Sequence, residues 1–487
     1  MPLGALVAAI AALNVLWLTL ESRPPHWDMG RHLAHSLFYL HGFSLAHPWS
    51  LLETYLYYPP LAYWVTDAFY GAFGSEAMWV AILSNAVWLA VLVFATYGIG
   101  RRLWNARVGW LSVVFVVTAP MVVSSSKEYM LDVPLTAVVA LGLYLLLRAD
   151  GFSSRRYSLL FGVACGCGLL VKWTFPSALA LPVLHASAIA LADARLRHRF
   201  QRLINVAGAA ALMLVVAGPW YAWHFWKVVN SLAYNAGPEG VVQGSPRVAS
   251  AASVLWYLWN LLDTQLYLVP FLFLLVGIVF CFRKRELAAR NLYPILTAVG
   301  TYVMFTLLRH KDPRYSLPML PALAVIATSW LEYVAARARV WAATAFVAYG
   351  AIAFLAISFG TSLLPRSVVL DLPSTSFTPA AVTVFGQYGY IIGPPTDENW
   401  HQADPFRTMA TLPRSQRSWA YKGPDTIWFN GHGLNYYSLR YDARKAYLAR
   451  ARFLIRRSAA PVTPPGYTRL ERWRLPDGGT LALYERA

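Results

Sequence analysis

Glu21-Ser22-Arg23-Pro24-Pro25-His26-Trp27-Asp28 follows directly on the uncharged apolar run of residues 2–20. Nineteen residues without a charge can cross a bilayer as one helix, so the carboxylates of Glu21 and Asp28 emerge at a membrane surface. Pro24-Pro25 makes the approach stiff. A base placed there would suit chemistry on a lipid-borne substrate, and the rest of the chain can be read for support.

The chain has 487 residues, of which 57% are hydrophobic and 13% charged, with a mean hydropathy of +0.44. Soluble domains carry about 25% charged residues, so most of this chain is expected to be solvated by lipid. Its 20 Trp and 28 Tyr suit many helix ends at the membrane interface. The formal charge of +18 resides mostly in short loops, which reads as topology and argues against a nucleic-acid partner. Cys165, Cys167 and Cys281 lie within apolar runs and imply no disulfide framework. The first run lacks a basic flank and a small-residue cleavage site, so a retained helix is expected in place of a signal peptide.

Apolar runs recur near 2–20, 76–100, 108–124, 131–148, 157–172, 176–192, 204–224, 263–282, 291–308, 315–334 and 340–364. The expected fold class is therefore a polytopic α-helical membrane protein with about eleven transmembrane helices and a small C-terminal α/β soluble domain. Alternate loops are basic, at 101–107, 148–156, 195–202, 283–290 and 337–339. The positive-inside rule makes these cytoplasmic, with the N-terminus. Residues 1–364 then form the transmembrane domain, with outward loops at 21–75 and 225–262. Residues 365–487 form an outward domain, periplasmic in a cell whose inner membrane holds the chain. Within 21–75, residues 30–42 can form a helix lying on the membrane with Leu33, Leu37 and Leu40 on one face. Strands are expected at 381–385, 426–429 and 452–455, and a hairpin over 469–484 turning at Asp477-Gly478-Gly479. No internal repeat is visible.

The outward charges demand explanation. They are Glu21 and Asp28; Lys127, Glu128 and Asp132; Lys172; and Arg309, Lys311, Asp312 and Arg314. A sugar on a polyprenyl phosphate needs cations to hold and stabilise the phosphate as it leaves. It also needs one carboxylate to take the acceptor proton. Each charge has a plainer reading. Asp28 could cap the helix that begins there, and Asp132 could cap the fourth span. Lys127 with Glu128 could be a solvated pair, and Arg309, Lys311 and Arg314 could only mark the interface. Asp28, His32 and His35 share a helix face, so a divalent ion is a further reading, less favoured than interfacial polar residues. No cofactor is otherwise required.

The sequence resembles the C-type membrane glycosyltransferases (the GT-C fold), in the branch of protein O-mannosyltransferases and the lipid A aminoarabinose transferase. The residues carrying this are Pro25-His26-Trp27-Asp28, Tyr57-Tyr58-Pro59-Pro60-Leu61-Ala62-Tyr63-Trp64 and Gly100-Arg101-Arg102-Leu103-Trp104. Lys127-Glu128-Tyr129-Met130-Leu131-Asp132-Val133-Pro134-Leu135, Gly168-Leu169-Leu170-Val171-Lys172 and Arg309-His310-Lys311-Asp312-Pro313-Arg314-Tyr315-Ser316-Leu317-Pro318 complete the set. The resemblance implies a polyprenyl-phosphate sugar donor, inverting transfer and an extracytoplasmic site acting on a lipid, glycan or protein acceptor. It implies Asp28 as the catalytic carboxylate, with Glu128 as second candidate. Lys127, Lys172, Arg309, Lys311 and Arg314 would meet the donor phosphate. Glu21, Trp27, Arg31, Tyr58, Trp64, Asp132 and Tyr315 would line the substrate. Met29 follows Asp28 where relatives commonly carry a second acid, and the 225–262 loop is too short for an inserted sugar-binding domain. A cover over the site is expected from 237–246, rich in Gly and Pro. The rival from another class is a transporter or flippase of lipid-linked sugars, which should show a polar midplane site and repeat symmetry. A non-catalytic scaffold would leave the outward charges without a role.

Overall fold

A computed structural model describes residues 2–372, 381–459 and 462–487. Each of the eleven apolar runs contains a helix, and among the described residues five helices are long and apolar enough to cross a membrane by length and composition. Four others, such as Pro176–Ala192 and Leu292–Leu307, are shorter apolar helices. The molecule is a helical membrane protein. Several runs break where the sequence carries a break. Helix Arg155–Val171 stops at Lys172, and Pro176 starts the next helix from its first position, where its missing N–H costs nothing. The run at 315–334 is composite, with a 3-10 segment Pro313–Met319 feeding helix Leu320–Ser329.

The seventh run differs from expectation. It does not end near residue 224 but continues as one helix, Leu196–Ala236. At 1.5 Å per residue its 41 residues reach about 60 Å, twice a hydrocarbon core, so one end projects beyond it. After the break at Gly237 comes a short helix, Pro238–Val242.

The basic loops gather at one end of the bundle. The Trp104 indole donates to Asn291 at 2.9 Å, and Arg107 and Arg339 both pair with Glu332 at 3.1 Å. Arg202 donates to the Gly151 carbonyl at 2.8 Å. Most of the groups expected to face outward gather at the opposite end, around Asp28 and Arg314. The helix expected over 30–42 forms as Trp27–Gly42, with Leu33 and Leu37 buried and Leu40 only partly so.

The C-terminal residues build a mixed sheet ordered Arg444–Lys445, Ser418–Lys422, Phe453–Ser458, Thr480–Arg486, Tyr467–Arg474. The first three strands run parallel, and the last two form the expected hairpin. A separate apolar core, with Phe406, Trp419, Phe429, Leu434 and Ile455, lies under it. The strand expected at 426–429 is not there. Those residues make a turn closed by Thr426 N–H to the Phe429 carbonyl, and Asn430 caps helix Gly431–Arg440 by accepting from Gly433 N–H at 2.8 Å. The strand in that part of the sheet is Ser418–Lys422.

Helix Gly431–Arg440 packs on helix Trp27–Gly42 through two glycines. A Cβ on Gly30 would lie 2.7 Å from the Gly433 nitrogen, so only a residue without one permits this approach. The C-terminal sheet is thereby seated on the helix that carries Asp28. The segment before it is tied down as well: the Trp17 indole donates to the Gly393 carbonyl at 3.0 Å, and Ser22 N–H to that of Thr396 at 2.9 Å.

Candidate active site

A cavity of about 550 Å³ opens at this end, between helix Trp27–Gly42, the start of helix Asp132–Ala149, Lys172, the end of helix Leu196–Ala236 and the segment around Arg314. Asp28 lies in the first turn of its helix, but the residue at the N-cap is His26. The Asp28 carboxylate points to Arg314, whose Nη1 donates to it at 2.9 Å. The other face of that guanidinium grips Asp312, with Nε to Oδ1 at 2.9 Å and Nη2 to Oδ2 at 2.6 Å. One arginine thus bridges two carboxylates from segments 286 and 2 residues away. Burial works against ionisation of Asp28, but the charge and hydrogen bond of Arg314 outweigh it and hold the carboxyl below its ordinary value. The same balance holds Asp312 low.

A second ion pair stands across the cavity. Lys172 Nζ donates to Asp132 Oδ1 at 3.0 Å, with both side chains nearly excluded from solvent. Asp132 is the first residue of its helix and not its cap. Lys172 also lies over the rings of Tyr58 and Tyr315, at 5.6 and 5.7 Å. Tyr315 is fixed by its hydroxyl contact with His310 Nδ1 at 3.0 Å and by stacking on Phe305 at 5.0 Å. Arg31 projects into the cavity over the Tyr57 ring, at 5.9 Å. Tyr57 has φ +74°, a strained value for a bulky residue, and its hydroxyl accepts from the Asn235 amide.

Of the residues expected at the site, Asp28, Arg31, Tyr58, Asp132, Lys172, Arg314 and Tyr315 line this cavity. The others do not. Lys127 is buried, donating to the Val123 carbonyl at 3.1 Å and Ser358 Oγ at 2.9 Å. Its ammonium is hydrogen-bonded only to neutral groups there, and burial outweighs the nearby Glu128 charge and pushes its pKa down to about 7. Glu128 accepts from Ser124 at 3.0 Å and meets His26 Nε2 at 3.3 Å, so it braces the N-cap of the Asp28 helix. Burial opposes its ionisation, but His26 and Ser124 keep it low. Lys311 turns back to cap helix Leu292–Leu307, donating to the carbonyls of Phe305, Thr306 and Leu308 at 2.6–2.9 Å. Arg309 holds the Ala236 carbonyl through its backbone N–H at 2.9 Å. Glu21 is engaged by Arg23 at 2.5 Å, Trp27 sets its ring edgewise to His432, and Trp64 packs against Tyr39.

His32 and His35 also line the cavity, and both contact the Tyr63 hydroxyl, at 2.8 and 3.5 Å. Burial drives both imidazoles below their ordinary pKa, His35 to about 3. Among the described residues no three His, Cys, Asp or Glu side chains are grouped to hold a metal ion.

The sequence reading missed Tyr234 and Asn235, which line the cavity together with Glu239 and Gln243 of the stretch expected to cover it. They lie past the point where the seventh run was taken to end. The available signal was Ser231–Asn235, which carries the helical period four residues on and is bonded through it, Asn235 to the Ser231 carbonyl. The stretch expected to cover the site does wall it: Gln243 Oε1 meets His310 Nε2 at 3.1 Å, and Gly240 sits against the His310 backbone.

A second, apolar cleft of about 250 Å³ shares Tyr58, Lys172, Asn235 and Tyr315 with the polar cavity and continues along Trp173, Leu232, Met304 and Leu308. A charged chamber thus meets a greasy one at Lys172. That arrangement accommodates an anionic head joined to a hydrocarbon tail.

The fold is that of the C-type membrane glycosyltransferases. The structure superposes on ArnT of Cupriavidus metallidurans bound to undecaprenyl phosphate with a TM-score of 0.64 over 98% of this chain and 97% of that one, at 17% identity. The archaeal oligosaccharyltransferase AglB of Archaeoglobus fulgidus superposes with a TM-score of 0.52 over 90% and 64%, at 12% identity. In sequence, the family described as dolichyl-phosphate-mannose-protein mannosyltransferase matches residues 58–223. An undecaprenyl phosphate-α-4-amino-4-deoxy-L-arabinose arabinosyl transferase of Erwinia tasmaniensis is 27% identical over 320 residues, 61% of this chain and 54% of that protein. The chain thus matches about half the length of such curated relatives.

Proposed function

We propose that this chain is an integral-membrane glycosyltransferase that moves a sugar from a polyprenyl-phosphate donor to a lipid, glycan or protein acceptor on the outer side of the membrane. The observation that carries this reading is the convergence of Asp28, Arg314, Lys172 and Asp132 in one cavity joined to an apolar cleft. Similarity to proteins named for undecaprenyl-phosphate sugar transfer supports it.

On this reading the polyprenyl tail lies in the apolar cleft and the phosphate sits between Lys172 and Arg314, with Arg31 nearby. Asp28 is the base. The acceptor oxygen or nitrogen attacks the anomeric carbon from the side opposite the phosphate, giving inversion. The bond from that carbon to the phosphate oxygen breaks, the electron pair leaves on the phosphate and the acceptor proton passes to Asp28. Phosphate is a good leaving group, so a second carboxylate acting as general acid is not needed. The donor phosphate competes with Asp28 for Arg314, which frees the base as the donor arrives. The reading takes eleven spans in the inner membrane with a cytoplasmic N-terminus and an outward C-terminal sheet, and the gathering of the basic loops at the end opposite the cavity supports that orientation.

The test is release of polyprenyl phosphate from carriers charged with different sugars, mannose and 4-amino-4-deoxyarabinose among them, with membrane extract as acceptor. Asp28→Asn should abolish release and transfer while donor binding persists. Equal turnover in both proteins sinks the assignment of Asp28. Carrier binding without turnover of any donor favours a transporter.

A further inference from the structure

The opposite end of the bundle holds a groove of about 850 Å³ that the transfer reaction does not use. Its floor and walls are apolar: Ala90, Val91, Phe94 and Ala95 from helix Asn85–Leu103, Leu141 from helix Asp132–Ala149, and Leu3 from the first helix. Its mouth carries Arg101, Arg102 and Arg148. Tyr144 lies flat enough in the groove that a Cβ on Gly98 would come within 2.6 Å of its ring. Arg148 is positioned by the Tyr144 hydroxyl at 2.9 Å and by Tyr157. The side chains of Arg101 and Arg102 are exposed and have no hydrogen-bond or acidic partner among the described residues. Basic loops would serve topology with no groove behind them, so it is the groove that calls for an occupant.

The dimensions identify it. Ala90 to Arg102 is twelve residues of helix, about 18 Å, close to the thickness of one hydrocarbon leaflet at about 15 Å. Apolar surface over that depth, ending in three guanidinium groups, complements acyl chains that end in a phosphate. Arg148 stands sixteen residues along its helix from Asp132, so the groove mouth is about 24 Å from the catalytic cavity. We infer that this groove binds one anionic glycerophospholipid of the cytoplasmic leaflet, its acyl chains along Ala90–Gly98 and its phosphate held by Arg101, Arg102 and Arg148.

The experiment is native mass spectrometry of the full-length protein released from nanodiscs of equal phosphatidylglycerol and phosphatidylcholine. The wild type should retain one phosphatidylglycerol per chain. Each arginine at the membrane surface contributes about fivefold, so Arg101→Gln with Arg102→Gln should lower the preference by about 30-fold. Ala90→Phe fills the groove without touching a charge and should abolish retention; if the double variant cannot be purified, Arg102→Gln alone should cost about fivefold. Equal retention of both lipids by the wild type, or an undiminished preference in the arginine variants, overturns the inference. So does displacement of the bound lipid by an equimolar amount of polyprenyl phosphate, which would make the groove a carrier site.

Discussion

Arg314→Met is the most searching perturbation of the proposed site, because this side chain holds both Asp312 and Asp28. The Arg314 and Asp312 side chains are 18% and 11% exposed, so the change leaves Asp312 largely buried without its ion-pair partner, keeping only the residue-314 backbone N–H. Breaking such a pair costs about 3–5 kcal/mol, and at roughly 2 °C per kcal/mol the melting midpoint should fall by about 6–10 °C at pH 8. The pH dependence carries the diagnosis. In the wild type both carboxyls are held below their unfolded values, so their contribution is present above about pH 4 and is lost only as pH falls through the lower folded values. Without the guanidinium, burial is the largest influence left on Asp312, against the residue-314 backbone N–H and the Lys172 charge, and raises its pKa. The variant then binds protons on folding, and it regains stability as pH falls from 8 towards 5. Tryptophan-fluorescence melts of purified protein in detergent at pH 5, 6, 7 and 8 read this directly. The deficit should be largest at pH 8 and narrow on acidification. Arg314→Lys should keep part of the stability but cannot bridge both carboxylates. A variant as stable as the wild type at pH 8, or a deficit that widens in acid, would falsify the bridging role.

Lys127 and Lys172 should behave oppositely. Lys172→Met should lower donor turnover at least 100-fold, as for loss of one group that stabilises a developing anion, whereas Lys127→Met should leave it near wild type. The folded pKa of Lys127 is lowered to about 7, so wild-type stability rises between about pH 7 and 10. The Lys127→Met protein should therefore be favoured relative to wild type at pH 6.5 and lose that advantage by pH 9.5, as thermal melts would show. Gly30→Ala should cost about 1–3 kcal/mol by forcing apart helices Trp27–Gly42 and Gly431–Arg440, and should lower turnover with it; unchanged melting would refute the contact. Because Asp28 is held low, kcat/KM for transfer should be flat from pH 8 down to pH 4.5. An acid limb centred near pH 6 would move the base to a histidine.

What the sequence made legible was whatever one segment decides alone. Apolar length decides a helix, and each of the eleven runs contains one; Lys172 to Pro176 decides a break, and the break is there. Asp477-Gly478-Gly479 decides a turn, and Gly478 takes φ +81° at it. Residues 426–429 misled because Thr-Ile-Trp-Phe has strand propensity, yet Asn430 caps a helix immediately after them and the sheet already has Ser418–Lys422. Asp28, Lys172 and Arg314, which line the cavity, were singled out because each is an ionisable group next to a span. Lys127, Arg309 and Lys311 fit that description equally well, and no local signal separates them.

The separation lies in the partners. Lys311 follows the end of a helix by four residues, so the nearest acceptors are that helix's own orphan carbonyls, and its ammonium turns back to them. Lys127 sits in a turn whose far side is covered by helix Ala336–Phe359, which offers Ser358. Arg314 follows Asp312 at a spacing that lets Nε and Nη2 take both carboxylate oxygens, leaving Nη1 free to reach across 286 residues to Asp28. A cation is open to a substrate phosphate where its partners line a cavity, as those of Arg314 and Lys172 do, and closed to it where they are the buried backbone, as for Lys311. On the proposed reading, the Arg314 nitrogen that Asp28 occupies is one a donor phosphate would claim, and that exchange would tie arrival of the donor to release of the base.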